Sequence, residues 1–256
     1  MLFDTHMHLN ARQFFEDRDE VMQRAREAGV TRMVIVGFDE DTIPLSIEIA
    51  ETYDEVYAAV GWHPVDAIHY EDHHLDWLES LTEHPKVVAL GEMGLDYHWD
   101  TSPKQVQEEV FRKQIRLAKK LSMPIIIHNR EATADIIRIL QEEKAEEVGG
   151  IMHCFSGTVE DVQPCLDMNF YISMGGPVTF KNGHEAKRVA KMVPSDRLLI
   201  ETDAPYLAPH PNRGKRNEPA YVRLVAEEIA QLRDLDYEKL CNITTENALK
   251  VFRIKK

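Results

Sequence analysis

Apolar, β-branched runs alternate with segments of helical periodicity along almost the whole chain. The runs are Leu2 to Leu9, Arg32 to Phe38, Val56 to Gly61, Val87 to Glu92, Pro124 to His128, Gly150 to Phe155, Phe170 to Met174, and Leu198 to Asp203. Between and after them the spacing predicts helices near 17–29, 41–53, 71–83, 104–122, 131–145, 158–167, 183–193 and 219–233. Strand-then-helix repeated in this way, with no low-complexity linker, predicts an α/β fold: a single (β/α)8 TIM barrel over residues 1–256. Gly29 punctuates the end of the first helix, and Ser122-Met123-Pro124 stops a helix before a strand. The segment from Asp236 to Phe252 predicts an extra C-terminal helix on the barrel exterior, with Thr244-Thr245-Glu246 near a helix start. The long irregular stretch Ala204 to Asn217 follows the last strand, which in a barrel is the catalytic face.

Composition narrows the class. Hydrophobic residues make up 43% of 256 positions, enough for one sizeable core. No apolar run approaches the ~20 residues of a membrane helix, so no membrane partner is expected. The chain opens directly into a strand with no basic-then-apolar leader, which makes a cytoplasmic location the expectation. Cys154, Cys165 and Cys241 are widely spaced, odd in number and form no CxxC pair, so neither a disulfide framework nor a thiolate zinc site is expected. Cys154 should face away from the neighbouring His153. A net charge of −14 argues against a broad duplex-binding surface while leaving room for a chain end in a small cleft. Glu142, Glu143, Glu146 and Glu147 read as a solvated helix face, and a monomer without an obligate protein partner is expected.

The candidate chemistry sits at strand ends. In Asp4-Thr5-His6-Met7-His8 the strand alternation points His6 and His8 the same way, so the two can grip one ion. Glu92, His128, His153 and Asp203 recur at the ends of later runs, and His63 follows the third. Nitrogen and oxygen donors without thiolate suit zinc, manganese, iron or nickel, and a two-oxygen carboxylate suits bridging. The pattern predicts two divalent metal ions: His6, His8 and Asp203 on one, His128 and His153 on the other, and Glu92 between. Magnesium or manganese is expected to support activity, and zinc or nickel fits the same donors.

The motifs Leu2 to Asn10, Gly61-Trp62-His63-Pro64, Gly91-Glu92-Met93-Gly94-Leu95-Asp96-Tyr97, Pro124 to Arg130, His153-Cys154-Phe155-Ser156-Gly157 and Glu201-Thr202-Asp203-Ala204-Pro205 resemble the TatD family of metal-dependent hydrolases, in the family's order and across essentially the full chain. The resemblance implies an amidohydrolase-type barrel and a deoxyribonuclease. It further implies a 3′ to 5′ exonuclease on single-stranded DNA, whose 3′ ends would be the partner, using a metal-activated water. It maps the metal role to His6, His8, Glu92, His128, His153 and Asp203. It sets His63 beside the metals as a group for the scissile phosphate or leaving-group proton. Asp203 is the expected general base, ahead of Glu201, which should orient a ligand or His63. Arg130 suits a phosphate oxygen pair, the alternative being an ion pair with Glu92 or Glu201. In the loop Pro209 to Pro219, Arg216 and Asn217 are the expected substrate contacts, and Tyr97 and Phe155 are possible stacking surfaces. His69, His73, His74 and His84 should be surface residues, Gly175-Gly176-Pro177 a tight turn, and the methionines core filler. Two other classes remain open: hydrolysis of a small-molecule ester, lactone or amide on the same barrel, and a silent binding protein. The intact ligand set counts against the latter, because buried ionisable groups without metal cost stability.

Overall fold

The computed structural model describes residues 1–255. Its strands are β1 (Leu2–Met7), β2 (Val30–Gly37), β3 (Val56–Val60), β4 (Val87–Asp96), β5 (Ile125–Arg130), β6 (Gly150–Met152), β7 (Phe170–Met174) and β8 (Leu198–Ile200). The helices are α1 (Arg18–Glu27), α2 (Thr42–Thr52), α3 (His73–Leu81), α4 (Lys104–Leu121), α5 (Thr133–Glu142), α6 (Val159–Asp167), α7 (His184–Met192), α8 (Val222–Leu232) and α9 (Tyr237–Val251). All strand pairs are parallel and run β1 to β8 in chain order, the expected TIM-barrel topology. The seam between β8 and β1 is closed by backbone bonds from Asp203 N–H to the His6 carbonyl (2.9 Å) and from His8 N–H to the Ala204 carbonyl (2.7 Å). Buried Asp4 reinforces it, accepting from the Thr202 backbone N–H at 2.9 Å and from the Thr202 hydroxyl at 2.5 Å.

The period-2 geometry of a strand divides the core in two. Every strand contributes to a shared cluster: Phe3, Val34 and Val36, Ala59, Ala89, Ile126, Ile151, Tyr171 and Leu199, joined by Ala248, Leu249, Val251 and Phe252. This is the barrel interior, and the end of α9 plugs its floor, with the Phe252 ring stacked 5.8 Å from Phe3. The larger cluster, including Met33, Ile35, Ile127 and Ile172, fills the layer between sheet and helices. Apolar residues on both strand faces are what a parallel sheet covered by helices requires.

Several boundaries differ from expectation. The last helix does not merely lie on the exterior, and it starts at Asp236, whose carboxylate accepts the Lys239 N–H. Thr244 sits mid-helix with its hydroxyl bonded to the Leu240 carbonyl. Strand β4 continues to Asp96, whereas β6 and β8 stop short because the chain turns at Cys154 and Asp203, whose φ angles are +39° and +57°. Among the described residues no helix is long and apolar enough to cross a membrane.

Candidate metal centre

The inward positions that make the core at the barrel floor become polar toward the C-terminal ends of the strands. Two steps of two residues from the interior cluster reach His128 and then Arg130 on β5. The same count leads from Ile151 to His153 and from Leu199 to Glu201 and Asp203. Strands β1 and β4 do not follow this simple count. The register of β1 on β2 slips between Asp4 and Met7, and that of β4 on β5 between Leu90 and Met93, each gaining one residue. These bulges shift the alternation so that His6 and His8 follow inward-facing Thr5, and Glu92 follows Gly91, into the mouth.

Glu92 sits at the middle of the resulting cluster and its two oxygens face different partners. Oε2 lies 3.4 Å from His6 Nε2 and 3.8 Å from His8 Nε2. Oε1 lies 2.6 Å from His128 Nδ1, 3.2 Å from His153 Nε2 and 3.6 Å from His63 Nε2. Asp203 completes the first group, with Oδ1 3.3 Å from His8 Nε2 and 3.8 Å from His6 Nε2. The six expected metal residues therefore converge, and they divide into two groups about the Glu92 carboxylate.

The far nitrogens decide what the near ones can do. His8 Nδ1 lies 3.1 Å from the Val36 carbonyl, His153 Nδ1 2.8 Å from Glu201 Oε1, and His128 Nε2 2.9 Å from Asp96 Oδ2. Each of those oxygens can only accept, so each ring carries a proton on its far nitrogen and turns a lone pair toward Glu92 or Asp203. Lone pairs facing carboxylate oxygens at such distances demand a positive charge between them. Protons or metal ions can meet that need. Burial opposes charge on His153, but Glu201 and Glu92 lift it well above the usual imidazole range, and Asp96 with Glu92 outweighs burial at His128. Burial likewise works against the Glu92 charge, yet the His153 charge and the hydrogen bonds from His128 and His153 hold its carboxyl well below the usual range. A donor set that gathers protons in this way fits divalent cations, which would displace them.

His63 differs in kind. Its Nδ1 accepts the Val65 backbone N–H at 3.2 Å, so the ring proton sits on Nε2, facing the cluster as a donor. Burial and the neighbouring His128 keep His63 below its ordinary pKa, in the neutral form. Glu201 is 0% exposed and lies behind His153, with which it pairs, and not beside His63. Asp203, 14% exposed at its side chain, borders the cleft.

The cleft above the cluster has a volume of about 940 Å³ and is lined by His63, Arg130, Phe155, Asp203 and Tyr206 among others. Arg130 makes no ion pair with Glu92 or Glu201, and its guanidinium lies 5.5 Å from the Trp99 ring centroid. Arg216 and Asn217 are engaged elsewhere. Arg216 forms a two-pronged ion pair with Asp17 and covers the Phe14 ring, while Asn217 is 0% exposed and donates to the Thr202 and Tyr206 carbonyls at 2.7 Å each. Both hold the loop after β8 instead of offering polar groups to the cleft. Tyr97 bonds Asp135 through its hydroxyl and carries Lys104 over its ring.

Three further expectations need correction. Cys154 lines the cleft, because the left-handed turn breaks the strand alternation that would have turned it away. His74 is 3% exposed, stacked 4.2 Å from the Trp62 ring, while His69 and His73 are exposed and His84 partly so. Glu143 is buried under Arg112 and Arg116 instead of lying on an open acidic face.

Sequence reasoning missed Asp96, although alternation from Glu92 through Gly94 would have found it. Asp96 Oδ2 fixes the His128 ring, and Oδ1 accepts the backbone N–H groups of His98 and Trp99 at 3.0 and 3.2 Å. Asp96→Asn is expected to weaken manganese binding on the His128 side by about 10- to 100-fold. Calorimetric titration reads this directly, and unchanged affinity would leave the Asp96–His128 bond without consequence for the site.

The family model for TatD related DNase matches residues 3–253. The chain is 60% identical over 254 residues to the uncharacterized metal-dependent hydrolase YabD of Bacillus subtilis (strain 168), covering 99% of this chain and 100% of that protein. It is 35% identical over 258 residues to the 3′-5′ ssDNA/RNA exonuclease TatD of Citrobacter koseri, with 99% of each chain covered. Among solved structures, the TatD homolog YJJV from Escherichia coli K12 superposes with a TM-score of 0.93 at 28% identity, over 99% of this chain and 98% of that one.

Proposed function

The chain belongs to the TatD family of metal-dependent hydrolases, and from that premise we propose that it is a deoxyribonuclease trimming single-stranded DNA from its 3′ end. The observation that carries the reading is the divided Glu92 carboxylate, with one oxygen toward His6 and His8 and the other toward His128 and His153. His6, His8 and Asp203 would hold one ion, His128 and His153 the second, and Glu92 both. Ions bound there supply Lewis-acid stabilisation of charge at phosphorus and lower the pKa of a water. Magnesium or manganese is the proposed activator.

The remaining roles fall to the chain's own groups. Asp203 both approaches the His6–His8 pair and borders the cleft, which suits it to accept the proton of the attacking water; fully buried Glu201 is a positioning residue for His153. His63, neutral with its proton on Nε2, can donate to a phosphate oxygen or to the departing oxygen. Arg130, at the cleft wall, suits two phosphate oxygens. The substrate class draws support from the Citrobacter relative, named for single-stranded DNA and RNA.

The test is turnover on 3′- and 5′-labelled single-stranded DNA by metal-stripped protein resupplied with magnesium, manganese or zinc, beside Glu92→Ala. Stepwise loss from the 3′ end that needs metal and vanishes in the variant is expected. If the protein binds two ions yet leaves DNA intact under all three metals, the reading fails and a screen of esters, lactones and amides follows.

A further inference from the structure

The cleft is larger than one phosphate needs, and its outer wall on the β4–β5 side carries a half-exposed indole, with the His98 ring 4.9 Å away edge-on. Trp99 is 53% exposed, whereas Trp62 is buried. A single exposed apolar side chain is ordinary, but Tyr206 and Leu207, 48% and 43% exposed, line the same cleft, so exposed apolar surface gathers at this mouth, as it does at binding sites. The loop that presents Trp99 is firmly held. Asp96 Oδ1 accepts the Trp99 N–H, the Thr101 and Ser102 hydroxyls donate to the Val65 carbonyl at 2.7 and 2.8 Å, and the Ser102 hydroxyl accepts the Ile68 N–H. Arg130 lies beside the ring, 5.5 Å from its centroid, on the strand position paired with Asp96. Asp96 is also the carboxylate that orients His128, so one residue fixes both the ring's turn and part of the candidate metal centre.

We infer that Trp99 and Arg130 form a nucleotide subsite beside the metal centre, in which a nucleobase stacks on the indole while the guanidinium meets its phosphate. The assignment rests on the DNA reading above. A stacking surface accepts any base, so the subsite adds affinity without sequence preference, and a cation next to the ring matches the phosphate that accompanies each base. The aromatic residues expected from sequence are poorer platforms: Tyr97 is tied to Asp135 and covered by Lys104, and Phe155 is 7% exposed.

The experiment crosses a protein change with a substrate change. Metal-replete wild type, Trp99→Ala, Trp99→Phe and Arg130→Gln are assayed on a single-stranded oligonucleotide and on the same strand with abasic units at its last two 3′ positions. Trp99→Ala should raise KM on the base-bearing strand by about 5- to 100-fold, leave kcat nearly unchanged, and have no effect on the abasic strand, with Trp99→Phe recovering most of the loss. Arg130→Gln should weaken both strands alike. Quenching of tryptophan fluorescence by a short oligothymidylate should be present in wild type and absent in Trp99→Phe. Equal losses on both strands, or none, with wild type cleaving DNA would overturn the subsite while leaving the nuclease reading intact. A wild type that cleaves neither strand overturns both.

Discussion

Glu92→Ala is expected to abolish turnover by on the order of 10³-fold or more and to remove the stabilisation that divalent metal gives the wild type. The size follows from geometry. Among the described residues Glu92 is the one carboxylate whose two oxygens face both groups, so its loss opens both at once, whereas removal of His128 or His8 would open one. In wild type, a bound ion raises the melting temperature by linkage, about 2.7 kcal/mol of stability at a hundredfold excess over Kd. The variant should melt at the same temperature with and without manganese, and its metal content by elemental analysis should fall below one ion per chain. Retention of two ions with undiminished turnover would mean that Glu92 bridges nothing. Glu92→Gln is the finer probe, since it keeps the shape but removes the charge that His153 and His128 stabilise.

Much of this centre is readable in the chain itself because of where ionisable residues are costly. A parallel barrel buries both faces of its strands, so apolar runs mark them, and titratable residues closing those runs stand out against packing. His128, His153 and Asp203 were accessible to that logic. Other features depend on partners that local sequence does not name. Whether His6 or Thr5 faces inward is settled by the register slip of β1 on β2, and Glu92 owes its direction to the corresponding slip on β4. Arg216 looked available for substrate because its neighbours are basic and exposed, yet its acidic partner Asp17 lies 199 residues away in sequence. Asn217 was mistaken for the same reason, its carbonyl partners being brought close only by the fold of the loop after β8. Asp96 was overlooked because the apolar pattern suggested that β4 ended at Glu92, whereas pairing with β5 carries the strand on to Asp96.

That extension of β4 makes a second severe prediction, which tests the scaffold instead of the ligands. Gly94 lies between Glu92 and Asp96 on the same strand face and pairs with His128 across to β5. Its φ is +148°, and a Cβ added there would stand 2.0 Å from the His128 carbonyl oxygen. A backbone oxygen cannot rotate away as a side chain does, so Gly94→Ala must force β4 and β5 apart by roughly 1 Å, in addition to the backbone strain of an alanine in a glycine-only conformation. Together these should cost about 3 kcal/mol or more and lower the melting temperature by roughly 6–12 °C. Because Glu92, Asp96 and His128 ride on the two separated strands, metal affinity should fall with stability. Gly29→Ala separates strain from collision: Gly29 also has positive φ, +88°, but nothing lies within 4 Å of its added Cβ. That control should cost only about 1 kcal/mol and leave metal binding unchanged. If the two alanine variants melt alike and bind manganese alike, the β4–β5 contact at Gly94 is yielding and cannot be what holds His128 against Glu92.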